Sequence, residues 1–346
     1  MDIELIKLRS NVIKQIRAFF DVRGYMEMHT PRLVGLPGQE PYLEPFQTTV
    51  TNPSETSRSS NEAMKQCSHG YPAALITSPE YAMKRLLANG FDKIYDLGSC
   101  FRDEEPWDGI HDPEFLMIEW YRKNSNLSSL MDETEEMVQY VMHHVSGADG
   151  VPTQPRNHAT TSPLPRITCE QAWKDVTGTD FSSLIGDREA MAKLVAERGQ
   201  TVTASDTWDD LYYKIFLSEI EPGLATKGCF LHRYPISMAA LAKPCADDPR
   251  FAERVELYLG GMELANGFHE LADAEVQRAR FIEDQGLRRS LGKKVWPLDE
   301  RLLADLPKMG DAVGIAFGVD RLAMLVAGAT SINDVIPFSA RERIGG

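Results

Sequence analysis

Long apolar runs are missing from this chain, and no stretch approaches the roughly 18 consecutive apolar residues that a membrane-spanning helix needs. The N-terminus also lacks the basic-then-apolar order of a signal peptide and opens into a charged amphipathic stretch. Both absences predict a cytoplasmic protein with no membrane partner. Cysteine is sparse: Cys67, Cys100, Cys169, Cys229 and Cys245 are odd in number, widely scattered and without a C-x-x-C pair. That pattern fits neither a disulfide framework nor a zinc site and predicts reduced thiols. Positive charge is short as well, with 37 Lys and Arg against 51 Asp and Glu, for a net charge of −14. Such a field repels a polyanion and makes tRNA an unfavourable partner, although acidity that only aids solubility is an equal reading. Internal repeats and low-complexity tracts are absent, which excludes a solenoid. What remains is an ordinary globular composition, 42% hydrophobic and 25% charged, in 346 residues, enough to bury a full core.

Val12, Ile13, Ile16, Phe19 and Phe20 recur at helical spacing, with Gly24 as a C-terminal cap, and predict a helix over residues 3–23. Tyr25 to Met28 reads as a short strand stopped by Thr30 and Pro31. Residues 52–70, rich in Ser, Asn, Thr and Glu, predict a surface loop between strands near 43–51 and 72–77, either a lid or a tolerated insertion. A helix over 80–89 and a strand over 93–97 follow. Phe101–Glu105 and Phe115–Trp120 then flank a loop as a long hairpin. Helical periodicity over 129–145, a Gly, Pro, Ser and Thr linker over 146–166, and further helices to about 226 read together as a helical insertion over 122–226.

Residues Val255 to Ala265 alternate apolar and polar on both sides of Gly260-Gly261, the signature of a hairpin with a two-residue turn. In that register Tyr258 faces Glu263, and Glu256 lies diagonally across on the same face. Spacing alone favours a solvated hairpin face, but two like charges so close also suit a divalent cation carrying substrate phosphates. Glu270 falls on the opposite face by strict alternation, and a bulge at Gly267 is expected to bring it back.

Phe101-Arg102-Asp103-Glu104-Glu105, His111-Asp112-Pro113-Glu114-Phe115 and Ile118-Glu119 resemble motif 2 of the class II aminoacyl-tRNA synthetases. Gly314-Ile315-Ala316-Phe317-Gly318-Val319-Asp320-Arg321 resembles motif 3, and Gly24 to Pro31 the looser motif 1, which in that family builds the dimer interface. The resemblance implies an α+β fold, an antiparallel sheet flanked by helices, in a single catalytic domain over 1–346 that forms a homodimer. It implies ATP held by Arg102, Asp103, Glu104, His111, Asp112, Phe115, Glu263, Leu264, Gly318 and Arg321, with Mg2+ on Glu256 and Glu263. Those residue types suit the chemistry. Attack of a carboxylate on an α-phosphate builds charge on equatorial oxygens, which a fixed guanidinium such as Arg102 stabilises. Phe115 and Arg321 would take the two faces of adenine, and Gly318 would let the backbone approach the nucleotide. Arg102 and Arg321 are the expected catalytic residues, with no side-chain nucleophile.

Within class II the chain is most similar to lysyl-tRNA synthetases, through Ser78-Pro79-Glu80-Tyr81, Glu119-Trp120-Tyr121 and Glu263 to Glu270. That resemblance implies Glu119, Tyr121 and Glu270 around a side-chain ammonium, Glu80 at the other amine and Asn266 at the carboxylate. Only 23 residues precede motif 1, too few for an N-terminal anticodon-binding barrel. The chain therefore looks like the stand-alone elongation factor P (R)-β-lysine ligases, whose pattern also carries Ser78 and Ala316, a hydroxyl and a methyl that would reshape the pocket toward the β-amine. Activation of (R)-β-lysine as an adenylate and transfer to elongation factor P is the expected activity. A truncated tRNA-charging enzyme and a non-catalytic amino-acid sensor are the alternatives. Asp112 departs from the usual Asn and is expected to place a charge near ATP.

Overall fold

The computed structural model describes residues 2–52, 70–146 and 163–345. The loop expected over 52–70, Cys67 within it, and most of the expected linker therefore lie outside the described residues. Helix α1, Ile3–Asp21, starts where the Asp2 side chain accepts a hydrogen bond from the Glu4 N–H at 2.9 Å. Leu8, Val12, Ile16, Phe19 and Phe20 form its buried stripe. The chain reverses at Gly24, whose φ of +75° glycine adopts without cost, and enters β1, Met26–Met28.

In chain order there follow β2 (Leu33–Val34), β3 (Gln47–Val50), β4 (Tyr71–Leu75), α2 (Glu80–Ala88), β5 (Lys93–Phe101), β6 (Glu114–Lys123), α3 (Leu127–Ser146) and β7 (Arg166–Thr168). Helices α4 (Cys169–Thr177), α5 (Arg188–Glu197), α6 (Trp208–Ile215) and α7 (Glu221–Lys227) come next, then β8 (Cys229–Pro235), β9 (Phe251–Leu259) and β10 (Met262–His269). Helices α8 (Ala274–Ser290) and α9 (Glu300–Met309), strand β11 (Ala312–Gly318) and helix α10 (Val319–Ala327) complete the frame.

Eight strands form one sheet in the order β1-β5-β6-β11-β10-β9-β8-β7, and β2-β4-β3 form a small second sheet. The six central strands of the large sheet are antiparallel, as expected, while β1 runs parallel to β5 and β7 parallel to β8, so the sheet is mixed at its edges. Alternation along each strand divides the side chains between two faces. Leu97, Trp120, Leu257, Ile315 and Phe317 belong to the main core, which α1, α3 and α10 cover. The residues between them, among them Glu119, Asn266 and Ala316, face the other way and build the site.

The stretch 122–226 is not one helical body. The apolar stripe of α3, with Leu130, Met137, Val138 and Val141, is part of the main core, and β7 joins the edge of the sheet. Only α4 to α7 form a separate cluster, packed around Trp173, Phe181, Tyr212 and Phe216. Helical periodicity reports that a stripe is buried, not which core buries it.

Candidate active site

The β9–β10 hairpin turns at Gly260 and Gly261, both at positive φ, and pairs Leu259 with Met262 and Tyr258 with Glu263 as the sequence predicts. The bulge exists, but at Leu264 and not at Gly267: the register shifts between Glu263 and Ala265, after which Asn266 lies opposite Glu256. From Ala265 onward the strand pairs regularly, with β9 to Phe268 and with β11 to His269. Gly267 has a different task. An added Cβ would stand 2.8 Å from the Ile315 Cβ, so the missing side chain lets β10 and β11 approach. One extra residue at Leu264 is enough to put Glu263, Asn266, Phe268 and Glu270 on one face.

On that face a cavity of about 270 Å³ is lined by Arg102, Glu105, His111, Asp112, Phe115, Glu263, Leu264, Ala316, Gly318 and Arg321, together with Asn266 and Asp320. Of the residues expected around ATP, only Asp103 and Glu104 are absent from its wall. Asp103 is exposed, and its N–H donates to the Glu44 carbonyl at 2.7 Å. Glu104 points outward toward Lys293 at 3.8 Å and is held at a φ of +61°, a left-handed conformation unusual outside glycine. Glu105 takes the inward position instead. The Arg102 guanidinium lies over the Phe115 ring, 5.0 Å from its centroid, and its buried Nε has no hydrogen-bond acceptor among the described residues. A buried Nε–H without an acceptor is costly, and with its nearest carboxylate, Glu105, 3.9 Å from Nη1 the guanidinium stays able to meet an anion in the cavity. Arg321 is fixed at both ends: Nη1 donates to the Glu263 carbonyl at 2.8 Å, and Nη2 meets His111 Nε2 at 3.0 Å. His111 Nδ1 in turn lies 3.1 Å from Asp108.

Gly318 accepts a methyl group as far as the protein is concerned, since an added Cβ would meet nothing nearer than Arg321 Cδ at 3.6 Å. Only a ligand in the cavity would feel it. Asp112 does not charge the cavity as expected. It is buried, accepts from the Glu114 N–H at 3.1 Å and the Ala340 N–H at 2.8 Å, and pairs with Arg343 at 2.6 Å. The C-terminal segment thus neutralises it.

Behind Ala316 lies a second, buried group of charges. Ala316 pairs with Glu119 on β6 and with Asn266 on β10, so it stands between the cavity and this group. Ser78 Oγ donates to Glu119 Oε1 at 2.6 Å and accepts from the Glu80 N–H at 3.0 Å, which fixes the turn through Pro79 into α2. The Tyr121 hydroxyl donates to Glu119 Oε2 at 2.7 Å. Burial, then the neighbouring Glu80 charge, push the Glu119 carboxyl up to about 8. Glu80 and Glu270 converge on Lys84, whose Nζ lies 2.5 Å from one and 2.7 Å from the other. Burial alone would lower the Lys84 pKa, but the two carboxylates outweigh it and the net shift is upward. Sequence reasoning missed Lys84, although its place four residues after Glu80 on one helix predicts an ion pair. Gly314 was read only as part of a motif. A Cβ there would sit 2.2 Å from the Tyr121 ring, so its absence is what lets that ring lie across β11.

Glu256 and Glu263 share a face, but they differ as metal ligands. Glu256 already accepts from the Tyr258 hydroxyl at 2.5 Å, from Tyr234 and from Arg254. Glu263 has no hydrogen bond or ion pair to its carboxylate among the described residues. Burial, then the Glu256 charge, push its carboxyl up. Among the described residues no three His, Cys, Asp or Glu side chains converge as a metal site. Of the two, Glu263 is therefore the carboxylate that the described residues leave unengaged, and Glu256 is hydrogen-bonded on both oxygens.

A model of the family described as tRNA synthetases class II (D, K and N) matches residues 3–342. The chain belongs to that family. It is 36% identical over 340 residues to the elongation factor P–(R)-beta-lysine ligase of Pseudoalteromonas translucida, covering 97% of this chain and 95% of that one. It is 35% identical over 334 residues to the ligase of the same name from Proteus mirabilis, covering 95% and 93%. The Yersinia enterocolitica protein of that name is 36% identical over 337 residues, again covering 95% and 93%. Family membership accounts for the mixed sheet with helices on its faces, and no helix among the described residues is long and apolar enough to cross a membrane.

Proposed function

We propose that this protein activates (R)-β-lysine with ATP and transfers it to a lysine ε-amine of elongation factor P. The observation that carries the reading is the adjacency, across Ala316, of an anion-seeking cavity and a buried carboxylate group able to hold a diamino acid. In the first step a carboxylate oxygen of the amino acid attacks the α-phosphorus, pyrophosphate departs and an acyl adenylate forms. In the second the amine attacks the acyl carbon, AMP departs, an amide forms and the amine loses a proton.

The residues divide the work. Arg102 stabilises charge developing on the α-phosphate, and Arg321, anchored to the Glu263 carbonyl and His111, offers a fixed guanidinium plane to the base opposite Phe115. Asn266 and Arg102 face the carboxylate. Glu119, oriented by Ser78 and Tyr121, takes the distal ammonium together with Glu270, and Glu80 borders the other amine. Mg2+ neutralises the triphosphate when bound, with Glu263 as the protein carboxylate available to it. The Ser78 hydroxyl and the Ala316 methyl bias the pocket between lysine isomers by about 1–3 kcal/mol. The acidic chain disfavours tRNA as acceptor, and we place it in the cytoplasm as a homodimer through the motif 1 segment.

Mass spectrometry of elongation factor P after incubation with the protein, ATP and each lysine isomer tests the reading. A mass gain corresponding to one lysyl group, largest with (R)-β-lysine, is expected. Labelling of tRNA with no change in elongation factor P would overturn it.

A further inference from the structure

The buried group behind Ala316 has a charge balance of its own. Glu80, Glu119 and Glu270 supply three carboxylates and Lys84 a single ammonium, all at most 8% exposed, which leaves a formal charge of minus two. Glu40, a further carboxylate whose charge acts on Glu80, has its pKa pushed up by burial and by that charge, and the remaining charged groups nearby are paired. Asp96, opposite Glu119 on β5, is held by Arg32 and by the Thr30 N–H and hydroxyl. His269, next to Glu270, lies between Glu253 and Asp311. Cys100 and the Tyr121 phenol, which also face Glu119, have their pKa values pushed up by burial and stay neutral.

We infer that Lys84 is a positioning residue that sets the valence of the amino-acid pocket: by cancelling one of three carboxylates it leaves a demand for two ammonium groups, which selects diamino acids over monoamino acids. Unpaired buried charge is costly in either direction, so the count of charges discriminates even where shapes are similar. Lys84 needs no contact with the reacting atoms to do this. Its ammonium is tethered between Glu80 and Glu270 by geometry alone, 2.5 and 2.7 Å away. Burial pushes the Glu119 and Glu270 carboxyls up in the empty pocket, and arriving ammonium groups favour the ionised forms that the count of minus two assumes.

The inference rests on the diamino-acid reading above, and calorimetry with amino acid and no ATP separates the two. If the unaltered protein binds neither lysine isomer, that reading fails. If it binds (R)-β-lysine and Lys84→Met binds equally well, the valence inference alone fails. We expect Lys84→Met to weaken (R)-β-lysine on the order of tenfold to a hundredfold. Charge restoration is the decisive readout: the double variant Glu80→Gln with Lys84→Met returns the formal charge to minus two and should bind more tightly than Lys84→Met. Added n-propylammonium should likewise tighten binding by Lys84→Ala and leave the unaltered protein unaffected. A purely packing role predicts neither recovery, and the loss of both overturns the inference.

Should the variants not fold, the unaltered protein still decides. Titrations at neutral pH in buffers of different ionisation enthalpy should show more proton release with (R)-β-lysine than with (R)-3-aminohexanoate, which lacks the distal amine, because burial holds both the Glu119 and the Glu270 carboxyl up in the empty pocket. Equal proton release for both ligands overturns the inference.

Discussion

The two halves of the site handle charge in opposite ways. The nucleotide half leaves it exposed to the ligand: the Arg102 Nε has no acceptor, and the Glu263 carboxylate has no donor among the described residues. The amino-acid half balances charge against charge, with Lys84 between two glutamates and Glu119 held by Ser78 and Tyr121, while Lys84 Nζ and both Glu270 oxygens make no hydrogen bond among the described residues. The difference follows from what each half receives. A triphosphate brings more charge than a buried pocket can mirror, so the cavity waits for the ligand and its metal. A diamino acid brings a small fixed charge, and the pocket can be pre-balanced to meet it.

The largest expected effect breaks the nucleotide half. Arg102→Met should lower kcat for amino-acid-dependent pyrophosphate exchange by about 10²- to 10³-fold, the usual cost of removing a preorganised charge donor. Thermal stability should hold or rise, because the variant also removes an unpaired buried donor. A fall in melting temperature matching the loss of rate would place Arg102 in the scaffold instead.

The amino-acid half breaks by pH. The Glu119 carboxyl is pushed up to about 8 in the empty protein, against an ordinary value of 4.5. Between those values the folded state holds a proton that the unfolded state has lost, so stability should fall as pH rises toward 8. Melting temperature without ligand should decline from about pH 5 to about pH 8, and Glu119→Gln should lessen that decline, the raised Glu263, Glu270 and Asp284 carboxyls supplying the rest. Saturating (R)-β-lysine should lessen it too, since its ammonium replaces the proton. A melting profile unaltered by Glu119→Gln would show that the carboxyl titrates outside this range.

Much of this was legible beforehand, for reasons that also explain what was not. The β9–β10 hairpin was readable because a Gly-Gly pair between alternating runs has few other solutions, whereas Arg102, Phe115 and Arg321 were singled out by the resemblance to motifs 2 and 3, and the fold brings them to one cavity wall. Helix α1 was readable from its stripe of Val12, Ile16 and Phe19. The bulge was misplaced at Gly267 because glycine signals both bulges and close strand approach, and only the packing of Ile315 against β10 tells which. Glu104 was assigned to the cavity because sequence order does not show which of two neighbouring glutamates turns inward. Lys84 was overlooked because a lysine at i+4 from a glutamate usually marks a solvated helix face, and burial is invisible in spacing.

Two glycines of β11 sharpen the comparison with intermediate effects. Gly314→Ala forces a methyl to 2.2 Å from the Tyr121 ring and 2.5 Å from Glu270 Oε1, so it should destabilise by about 1–3 kcal/mol and raise KM for the amino acid. Gly318→Ala meets protein atoms only at ordinary contact distance, so melting temperature should hold while KM for ATP rises. Equal effects on both substrates from either change would mean that the halves are not separable.

The smallest expected effect concerns how the nucleotide half is held shut. Asp112 pairs with Arg343, which also reaches Glu114, and Arg341 Nη2 donates to the Trp107 carbonyl at 3.1 Å. The Ile332 N–H donates to the Gly109 carbonyl at 2.6 Å, so the C-terminal segment grips the 102–113 loop along its length. The Arg343 side chain is partly exposed, which limits the pair to about 1 kcal/mol. Arg343→Met should therefore raise KM for ATP only about three- to fivefold, more at low than at high salt, with KM for the amino acid unmoved. Asp112→Asn retains an acceptor for the Ala340 N–H and removes the charge that Arg343 answers. The double variant should then be no worse than Arg343→Met alone, because the substitutions act through one pair. Additive losses would show that Asp112 acts on the nucleotide directly, as its place in the motif had suggested, and not through the C-terminal segment.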